Sequence, residues 1–507
     1  MKLVNKYIIL VCLLVGAACD NGFDEMNINP NALTSVEPVF MLNTAMVASA
    51  PQYGNLSYET TIVKQMITPF SGVGAAANFN QDNRNVAAGN WQRGYREGIK
   101  NLVSALHATE GRPQYDNLRQ ILRIWKAYTF MIITDTYGDV PYFEAGRVFL
   151  DGITSPVYDR QEDVYDDILK ELDNASASIN LSGPAVASEI LYSGDLAKWK
   201  RFGYSLLLRA AMRHSKVNPT KAAEYVTKAV NGGLMQSNAD NAIIRHTANF
   251  TNNIGAQLNG GQSAFFYLAE DFVSFLKDNN DPRLASIAVR YVGAASGAGQ
   301  VAANANRNPD VQIGMPLGYD NTTISAAVQA SGLVSLWDYS QLDRTRMAAI
   351  QAPSFLITYS QTLLLLAEAA HRGWTGGNVA DLYARGIEAH MQQLATYGAS
   401  TAVDAAAIQQ YIQSHPLEAG KELEQINTQY WVSTFLLGPE SWANFRRSGY
   451  PQLSPNLFPG SDLQTEPFIR RLSYTDAELN VNAGNVEAAI ARQGPNIMDT
   501  RVWWDVK

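Results

Sequence analysis

The spacing of apolar residues constrains the fold of this chain more than any other feature of the sequence. Between residues 118 and 132, apolar residues recur three or four positions apart along the chain. They are Leu118, Ile121, Leu122, Trp125, Tyr128 and Ile132. On an α-helix this spacing gathers the side chains into one stripe that packs against another element. We predict a helix here that ends near Gly138, since glycine readily takes the backbone conformation that terminates a helix.

The same periodicity predicts three further helices, over residues 163–172, 195–212 and 354–370. Asp195 is a suitable N-cap for the second, because its carboxylate can accept a hydrogen bond from a backbone N–H of the first turn. Gly373 is predicted to end the third.

Tryptophans inside these periodic stretches are predicted to be core residues, and they are Trp125, Trp199 and Trp442. Strand signals are few and short, with residues 287–292 as an example. No self-similarity with a 34-residue period is visible in the sequence. The pattern therefore predicts a mainly α protein built of packed helix pairs, with irregular loops and a few short strands.

The N-terminus carries the features of an export signal. Lys2 and Lys6 precede an uncharged run over residues 7–18, and small residues lead directly into Cys19. Such a charged start, apolar run and small-residue exit are typical of a secretory signal peptide, and the run is too short to span a membrane. We predict a signal peptide over residues 1–18.

Cys19 stands where bacterial lipoproteins carry the cysteine that is lipidated and becomes the mature N-terminus, although Gly16 replaces the usual leucine of that motif. The other cysteine, Cys12, lies within the predicted signal peptide, so the mature chain would form no disulfide. We predict lipidation at Cys19, a lipidated N-terminus and polar tether over residues 19–39, and a single helical binding domain over residues 40–507.

Composition excludes several classes of protein. The 507-residue chain has a formal net charge of −8 and no lysine- or arginine-rich block, which argues against nucleic-acid binding. After the N-terminus no apolar run reaches the length of a membrane span, so the membrane is expected to be reached through the lipid anchor alone.

Catalytic motifs are absent from the sequence. The six histidines show no metal-binding spacing, and there is no nucleophile elbow or phosphate-binding glycine loop. The enzymatic alternative is a glycosidase with a carboxylate pair drawn from Asp135, Asp139 and Glu144. Aspartates at the end of a core helix and in its exit turn more often bond local backbone N–H groups, so we predict that the protein is not an enzyme.

Two charged clusters have structural interpretations. Arg446 and Arg447 with Glu440 suggest a charge network at a helix end. The oxygens of Asp278 and Asp281 could approach a calcium ion, but nothing fixes a ligand count there. We therefore predict no metal and no cofactor.

Candidate binding residues lie beside two polar, irregular segments. Sugar rings pack their C–H faces on aromatic side chains while their hydroxyls need fixed hydrogen-bond partners. The stretch 293–335 is long and rich in Gly, Ala and Asn, and Asn-rich residues 78–90 end at a tryptophan. The predicted ligand-binding residues are Trp337, Tyr339, Tyr319, Trp91, Asn78, Asn80 and Asn90.

Packing is the competing interpretation for these aromatic residues. Trp337 could pack under the neighbouring loop instead of meeting a ligand. The spacing of Trp91 to Tyr95 and Ile99 is equally that of a buried helix face.

Several blocks in a consistent order resemble the SusD/RagB family of outer-membrane nutrient-binding lipoproteins, in particular its SusD-like subgroup. They are NINPN (27–31), ITDTYGDVPYFEA (133–145), SGDLAKWKRFGYSLLLRAAMRHS (193–215), PSFLITYSQTLLLLAEAAHRGW (353–374), GPESWANFRRSGYPQL (438–453) and RRLSYTDAELNVN (470–482). Each block alone is weakly specific, but together with the lipidation motif they are specific.

The resemblance implies a tetratricopeptide-like scaffold of stacked helix pairs with a ligand site on loops. It implies a cell-surface lipoprotein of the outer membrane that binds oligosaccharides and delivers them to a SusC-like TonB-dependent barrel. A peptide-binding member of the same transporter system is the alternative.

Overall fold

The helices follow the periodic segments of the sequence. This computed structural model describes residues 36–71 and 76–507, and Pro38–Lys507 forms one compact unit. The predicted signal peptide, Cys19 and most of the predicted tether lie outside the described residues. No described helix combines the length and the apolar character needed to span a bilayer.

The α-helices are α1 (Pro38–Ala48), α2 (Tyr53–Ser57), α3 (Glu59–Ile62), α4 (Arg84–Arg93), α5 (Lys100–Ala108), α6 (Asp116–Tyr137), α7 (Val148–Asp151), α8 (Gln161–Ser178), α9 (Leu196–Arg213), α10 (Pro219–Gly232), α11 (Asn253–Leu258), α12 (Glu270–Asp278), α13 (Arg283–Ile287), α14 (Ser325–Ala330), α15 (Tyr359–His371), α16 (Val379–Gln393), α17 (Ala405–Ser414), α18 (Glu422–Ser433), α19 (Gly438–Ser448), α20 (Asp476–Val481) and α21 (Ala483–Gln493). A π-helical turn, Gly94–Ile99, joins α4 to α5. The 3₁₀ turns are Ala77–Phe79, Pro113–Tyr115, Asn238–Asp240, Gly297–Gly299, Ala302–Asn304, Pro309–Val311, Leu336–Asp338, Leu394–Tyr397 and Ala399–Thr401.

The predicted helix ends are confirmed for α6 and α9. Helix α6 stops at Gly138, whose φ of +83° is costly for any residue with a side chain. Asp195 caps α9, because its carboxylate accepts a hydrogen bond from the Lys198 backbone N–H at 3.0 Å. Local chemistry at these ends was sufficient to fix the boundaries.

The predicted helix over 354–370 is wrong in its first turn. Residues Ser354–Ile357 form a strand, and α15 begins only at Tyr359. The Thr358 side chain accepts a hydrogen bond from the Gln361 N–H while the Gln361 side chain accepts one from the Thr358 N–H, which is a reciprocal cap. Backbone pairing of the strand with another strand overrides the apolar periodicity that had suggested a longer helix.

Helix pairs form the scaffold. Helix α6 packs on α8, α9 on α10, α15 on α16 and α18 on α19. At the centre, Trp125 of α6 stacks on Phe202 of α9, with ring centroids 5.7 Å apart, and meets Trp199 at 6.0 Å. The predicted core positions of Trp125, Trp199 and Trp442 are confirmed, since all three are fully buried.

The strands are short and antiparallel. They are β1 (Met66–Ile67), β2 (Ala242–Ile244), β3 (Tyr267–Leu268), β4 (Ala288–Tyr291), β5 (Ala305–Asn306), β6 (Gln341–Leu342) and β7 (Ser354–Ile357). β1 pairs with β3, β2 pairs with β7, and β4 is the centre of a three-stranded sheet in the order β5-β4-β6. The strand predicted over 287–292 is confirmed as β4.

Charged side chains inside the scaffold pair with one another. Arg447 donates two hydrogen bonds to the Glu368 carboxylate, at 2.7 and 2.6 Å, and Arg213 donates one to Glu440 at 2.7 Å. The predicted network between Glu440 and the two arginines Arg446 and Arg447 is therefore wrong. The two members of each ion pair lie on different helices, and the sequence pattern carries no information on such long-range pairing.

Candidate functional site

A second, smaller apolar cluster lies beside the helical scaffold. Its buried members are Ile67, Tyr267, Ala269, Met315, Ile324, Val328, Leu333, Leu336 and Tyr339. Around it, six half-buried residues pack against this cluster: Phe70, Ile313, Leu317, Tyr319, Ala327 and Trp337. We call this region the aromatic face. Two of the predicted binding aromatics, Tyr319 and Trp337, are half-buried on this face.

Trp337 is held in a 3₁₀ turn by bonds to its backbone. The Ser335 hydroxyl accepts a hydrogen bond from the Trp337 N–H at 3.1 Å, and the Gln300 amide donates to the Trp337 carbonyl at 3.0 Å. The next residue, Asp338, accepts hydrogen bonds from Arg290 at 3.0 Å and from the Gly293 N–H at 2.9 Å. The backbone of the turn is therefore fixed independently of the indole.

The indole of Trp337 is only partly covered. It lies beside Gly297, where an added Cβ would stand 3.5 Å from the indole nitrogen. Among the described residues no acceptor bonds the indole N–H. A polar ligand can therefore receive a hydrogen bond here and pack on the ring, which are the two contacts that sugars make with tryptophan.

Tyr319 follows a sharp turn at Gly318, which has a φ of +91°. Asp320 locks the following loop by accepting hydrogen bonds from Thr322 and Thr323 at distances of 2.7 to 2.9 Å. These bonds, led by that of the Thr322 hydroxyl, lower the pKa of Asp320 to about 2. The hydroxyl of Tyr319 bonds no other described residue, so it too is available to a ligand.

Asn78 and Asn80 connect three loops of the aromatic face. The Asn78 amide donates to the Tyr319 carbonyl at 2.9 Å, and the Asn80 amide donates to the Asn456 carbonyl at 3.1 Å. Asn456 in turn donates to the carbonyls of Ala77 and Asn78, at 3.2 and 2.8 Å. Asn78 and Asn80, predicted as polar partners of a ligand, are both buried, and their amides bind backbone carbonyls.

Trp91 lies in the main core, Asn90 is half-buried on the helical scaffold, and neither belongs to the aromatic face. Trp91 is buried among the rings of Tyr95, Tyr137, Tyr158 and Tyr474, with centroid distances from 4.8 to 6.0 Å. The buried-face interpretation of its helical spacing is the one the structure supports. The Asn90 amide donates to the buried Glu59 carboxylate at 2.6 Å.

Tyr339, one of the predicted ligand-binding residues, is fully buried at the centre of the small cluster, so its ring is not presented to solvent. Its hydroxyl lies 3.4 Å from that of Ser331. The residue follows the irregular segment in sequence, as Trp337 does, but the 3₁₀ turn at Leu336–Asp338 directs the two rings differently. Proximity to a loop could not distinguish them.

Sequence reasoning missed three aromatic residues near this face. Phe70 and Phe265 are half-buried and meet edge to face, with centroids 4.7 Å apart. Phe458, also half-buried, packs on Phe79 at 4.4 Å, and the adjacent Leu457 is 83% exposed. One signal for the first pair was present in the sequence, which is the aromatic run Phe265-Phe266-Tyr267. It follows Gly260-Gly261 after three polar or small residues.

The carboxylates of the glycosidase alternative are engaged in the scaffold. Asp135 is buried and accepts hydrogen bonds from Arg213 at 3.1 Å and from the Trp504 indole at 2.9 Å. Asp139 accepts from the Arg492 guanidinium at 2.7 Å, and Glu144 accepts from the Val157 N–H at 2.8 Å. Each of the three carboxylates is therefore engaged by a donor of the scaffold.

Metal-binding geometry is likewise missing from the described chain, in which no three acidic, cysteine or histidine side chains group as metal ligands. Asp281 instead binds Arg283, whose Nε lies 2.9 and 3.0 Å from its two carboxylate oxygens. Both residues of this ion pair are buried, whereas Asp278 is exposed.

Comparisons with known proteins agree with this architecture. The model of the SusD-like family, described as starch-binding and associating with the outer membrane, matches residues 30–475. A comparison with curated proteins found no match.

Solved structures resemble the chain over nearly its full length. A chitin-binding protein is 30% identical, with a TM-score of 0.81, over 93% of this chain and 100% of that one. A Bacteroidetes SusD-like protein is 27% identical, with a TM-score of 0.79 and the same coverage. A chitin-binding SusD homologue from Flavobacterium johnsoniae is 26% identical, with a TM-score of 0.73, over 96% of this chain and 98% of that one.

Proposed function

The chain belongs to the SusD-like family, and on that premise we propose that it is a cell-surface lipoprotein that binds oligosaccharides and delivers them to a TonB-dependent barrel of the outer membrane. It acts by binding and carries out no chemistry on its cargo. The fold of stacked helix pairs supplies a rigid scaffold, and the loops of the aromatic face contact the glycan.

The observation that carries the proposal is the state of Trp337. Its ring is half-buried on the small cluster, while its indole N–H bonds no described residue. Tyr319 packs on the same cluster and also has an uncommitted hydroxyl. Both rings pack on the same cluster, and each has a hydrogen-bond donor without a partner among the described residues. This arrangement suits a ligand that has both C–H faces and hydroxyl acceptors.

Chitin-type oligosaccharides are the first ligand class to examine. Two of the similar solved structures are described as chitin-binding, whereas the family description names starch. We propose that the aromatic face takes a β-linked amino-sugar oligomer, with starch oligomers as the competing cargo. Titration of the full chain with both series, followed by calorimetry, distinguishes them.

The binding test is Trp337→Ala. Loss of the ring is expected to weaken oligosaccharide binding by about tenfold or more, equivalent to about 1.4 kcal/mol, because sugar stacking and one hydrogen bond are lost together. The matched control is Trp374→Ala, which removes another half-buried tryptophan, one that lies next to Arg372 outside the aromatic face. Unchanged affinity in Trp337→Ala for a glycan that the wild type binds would exclude Trp337 from the site.

The cargo class has a direct alternative, which is peptide. A glycan array and a peptide pull-down with the same preparation separate the two. Binding of peptides with silence on the glycan array would replace the oligosaccharide proposal with the peptide-binding one. Release of shortened sugars during incubation would contradict the proposal that the protein is not an enzyme.

Anchoring and the partner are tested separately. We expect mass spectrometry of the mature protein to find Cys19 acylated as its first residue, and Cys19→Ser to abolish membrane retention. We also expect copurification of the full chain with a large outer-membrane barrel. Retention of the Cys19→Ser protein in the membrane would contradict the lipid-anchor proposal.

A further inference from the structure

A cleft on the helical scaffold contains polar groups that oligosaccharide binding at the aromatic face does not use. It consists of an outer cavity of about 250 Å³ and an adjoining inner cavity of about 50 Å³. Five residues line both cavities: Ala48, Ala50, Pro51, Gln52 and Arg93. None of the residues that line them belongs to the small cluster of the aromatic face, so the cleft is a separate region of the molecule.

The inner wall carries a buried arginine with unused hydrogen-bonding capacity. Arg209 is 2% exposed, donates to the Gln361 side chain at 2.6 Å and lies 3.6 Å from the Glu440 carboxylate. Its Nε–H is buried and has no partner among the described residues. An unmade hydrogen bond of a buried donor is costly, so an acceptor that entered this cavity would be stabilised by bonding the Arg209 Nε–H.

The junction of the two cavities is marked by a second arginine. Arg93 is half-buried, and its guanidinium makes neither a hydrogen bond nor an ion pair with any described residue. Glu97, on the π-helical turn that follows, is the nearby acid, but it lies 3.2 Å from Arg96. π-helical turns occur frequently at functional sites.

The acceptors at the inner wall are already committed. Glu440 accepts hydrogen bonds from Arg213 at 2.7 Å and from the Tyr430 hydroxyl at 2.8 Å. Asp135 is bound by Arg213 and Trp504, as described above. Tyr128 also lines this cavity, and its hydroxyl makes no hydrogen bond with a described residue. The donors of this cleft that have no partner among the described residues are the Arg93 guanidinium, the Arg209 Nε–H and the Tyr128 hydroxyl.

We infer that this cleft is a second ligand site, which takes a small molecule bearing a carboxylate and seats that carboxylate between Arg93 and Arg209. A carboxylate is acceptor-only and matches the planar fork of arginine in a bidentate geometry. The outer cavity is smaller than a typical pocket for a drug-sized ligand, which limits the occupant to about one sugar ring or a simple organic acid.

The experiment is calorimetric titration of the full chain with sodium glucuronate, with glucose as the uncharged match and acetate as the minimal carboxylate. Glucuronate is expected to bind at one saturable site, acetate to compete for it, and glucose not to compete. Arg93→Gln is expected to weaken glucuronate binding by about tenfold or more, as for the loss of a charge-assisted bidentate contact. Arg93→Lys keeps the positive charge but loses the planar guanidinium, so its affinity for glucuronate should lie between that of the wild type and that of Arg93→Gln.

Controls separate this site from general effects. Arg160→Gln removes an exposed arginine that lines neither cavity and should leave glucuronate binding unchanged. Ala48→Leu, which fills the shared lining without touching a charge, should abolish binding and serves as a second test if Arg93→Gln does not fold. Trp337→Ala should not affect it, so a failure here is distinguishable from a failure at the aromatic face.

Three results would overturn the inference. They are the absence of saturable binding of both glucuronate and acetate to the wild type, an affinity unchanged by Arg93→Gln in a folded protein, and inorganic phosphate binding as tightly as glucuronate. The last would indicate a general anion site instead of a carboxylate site.

Discussion

The helical scaffold and the aromatic face are stabilised by different kinds of contact. In the scaffold, buried charges meet buried charges, as Arg447 meets Glu368, and helical stripes interdigitate. On the aromatic face, side-chain amides such as those of Asn78 and Asn456 bind backbone carbonyls, and the half-buried rings of Trp337 and Tyr319 rest on a small cluster. The difference predicts that scaffold substitutions change the free energy of unfolding, whereas substitutions of these two rings change ligand affinity.

The largest effect should follow from breaking a scaffold ion pair. Arg447→Ala leaves Glu368 charged and buried without its main partner, which costs about 3–5 kcal/mol of unfolding free energy. The matched control is Arg385→Ala, whose partner Asp381 lies 3.3 Å away in an exposed pair and whose loss should cost less than about 1 kcal/mol. Denaturant unfolding measures both. Equal losses would remove the distinction between buried and exposed pairs.

A buried acid without an arginine partner provides a comparison within the scaffold. Burial raises the pKa of Glu59 to about 7, although the Asn55 and Asn90 amides oppose the shift. For Glu368, burial also raises the pKa, but Arg447 and Arg372 outweigh it and lower the pKa to about 2. The contributions of the two carboxylates to folding stability therefore change with pH in opposite directions.

Glu59→Gln is predicted to change the pH dependence of stability. The raised pKa means that folded Glu59 keeps its proton after the unfolded chain has lost it, so stability falls as pH rises from about 4.5 to about 7. The glutamine variant lacks this decline, which we expect to reach roughly 3 kcal/mol. Denaturant unfolding at pH 5 and pH 8 measures the difference. The same slope in both proteins would mean that Glu59 does not titrate in this range.

A smaller effect is predicted where the loops of the aromatic face are joined. Asn456→Ala removes hydrogen bonds to two backbone carbonyls and should cost about 1 kcal/mol of unfolding free energy. Because these loops also carry Tyr319, the affinity for oligosaccharide should decrease in the same variant. Asn480→Ala is the control, since Asn480 makes a similar amide-to-carbonyl bond on an exposed helix away from these loops. An affinity loss of the same size in the control would show that the loop junction has no specific role.

Sequence periodicity predicted the scaffold because its information is local. The stripe around Trp125 and the cap at Asp195 need only neighbouring residues, and both are observed. The strand at Ser354–Ile357 was missed because it depends on a partner more than 100 residues away. Long-range pairing is the information that one sequence does not display.

The candidate site was predictable only in part for the same reason. Trp337 and Tyr319 were identified from the irregular segment that surrounds them, and the structure places both on one face. Tyr339 and Trp91 have the same kind of sequence context, yet packing turns them inward. Which side of a turn faces solvent depends on what covers it, and Asn456, which fixes these loops, lies some 380 residues from Asn78 along the chain.

The amide contacts that join the loops of the aromatic face do not depend on the identity of the residues they bind. Each of the amides of Asn78, Asn80 and Asn456 binds a main-chain oxygen, which every amino acid supplies. The side chains at neighbouring positions can therefore be exchanged without dismantling the frame that holds them. Under the proposed function, related proteins can therefore differ in the rings that contact the ligand while retaining the amide contacts that hold the loops.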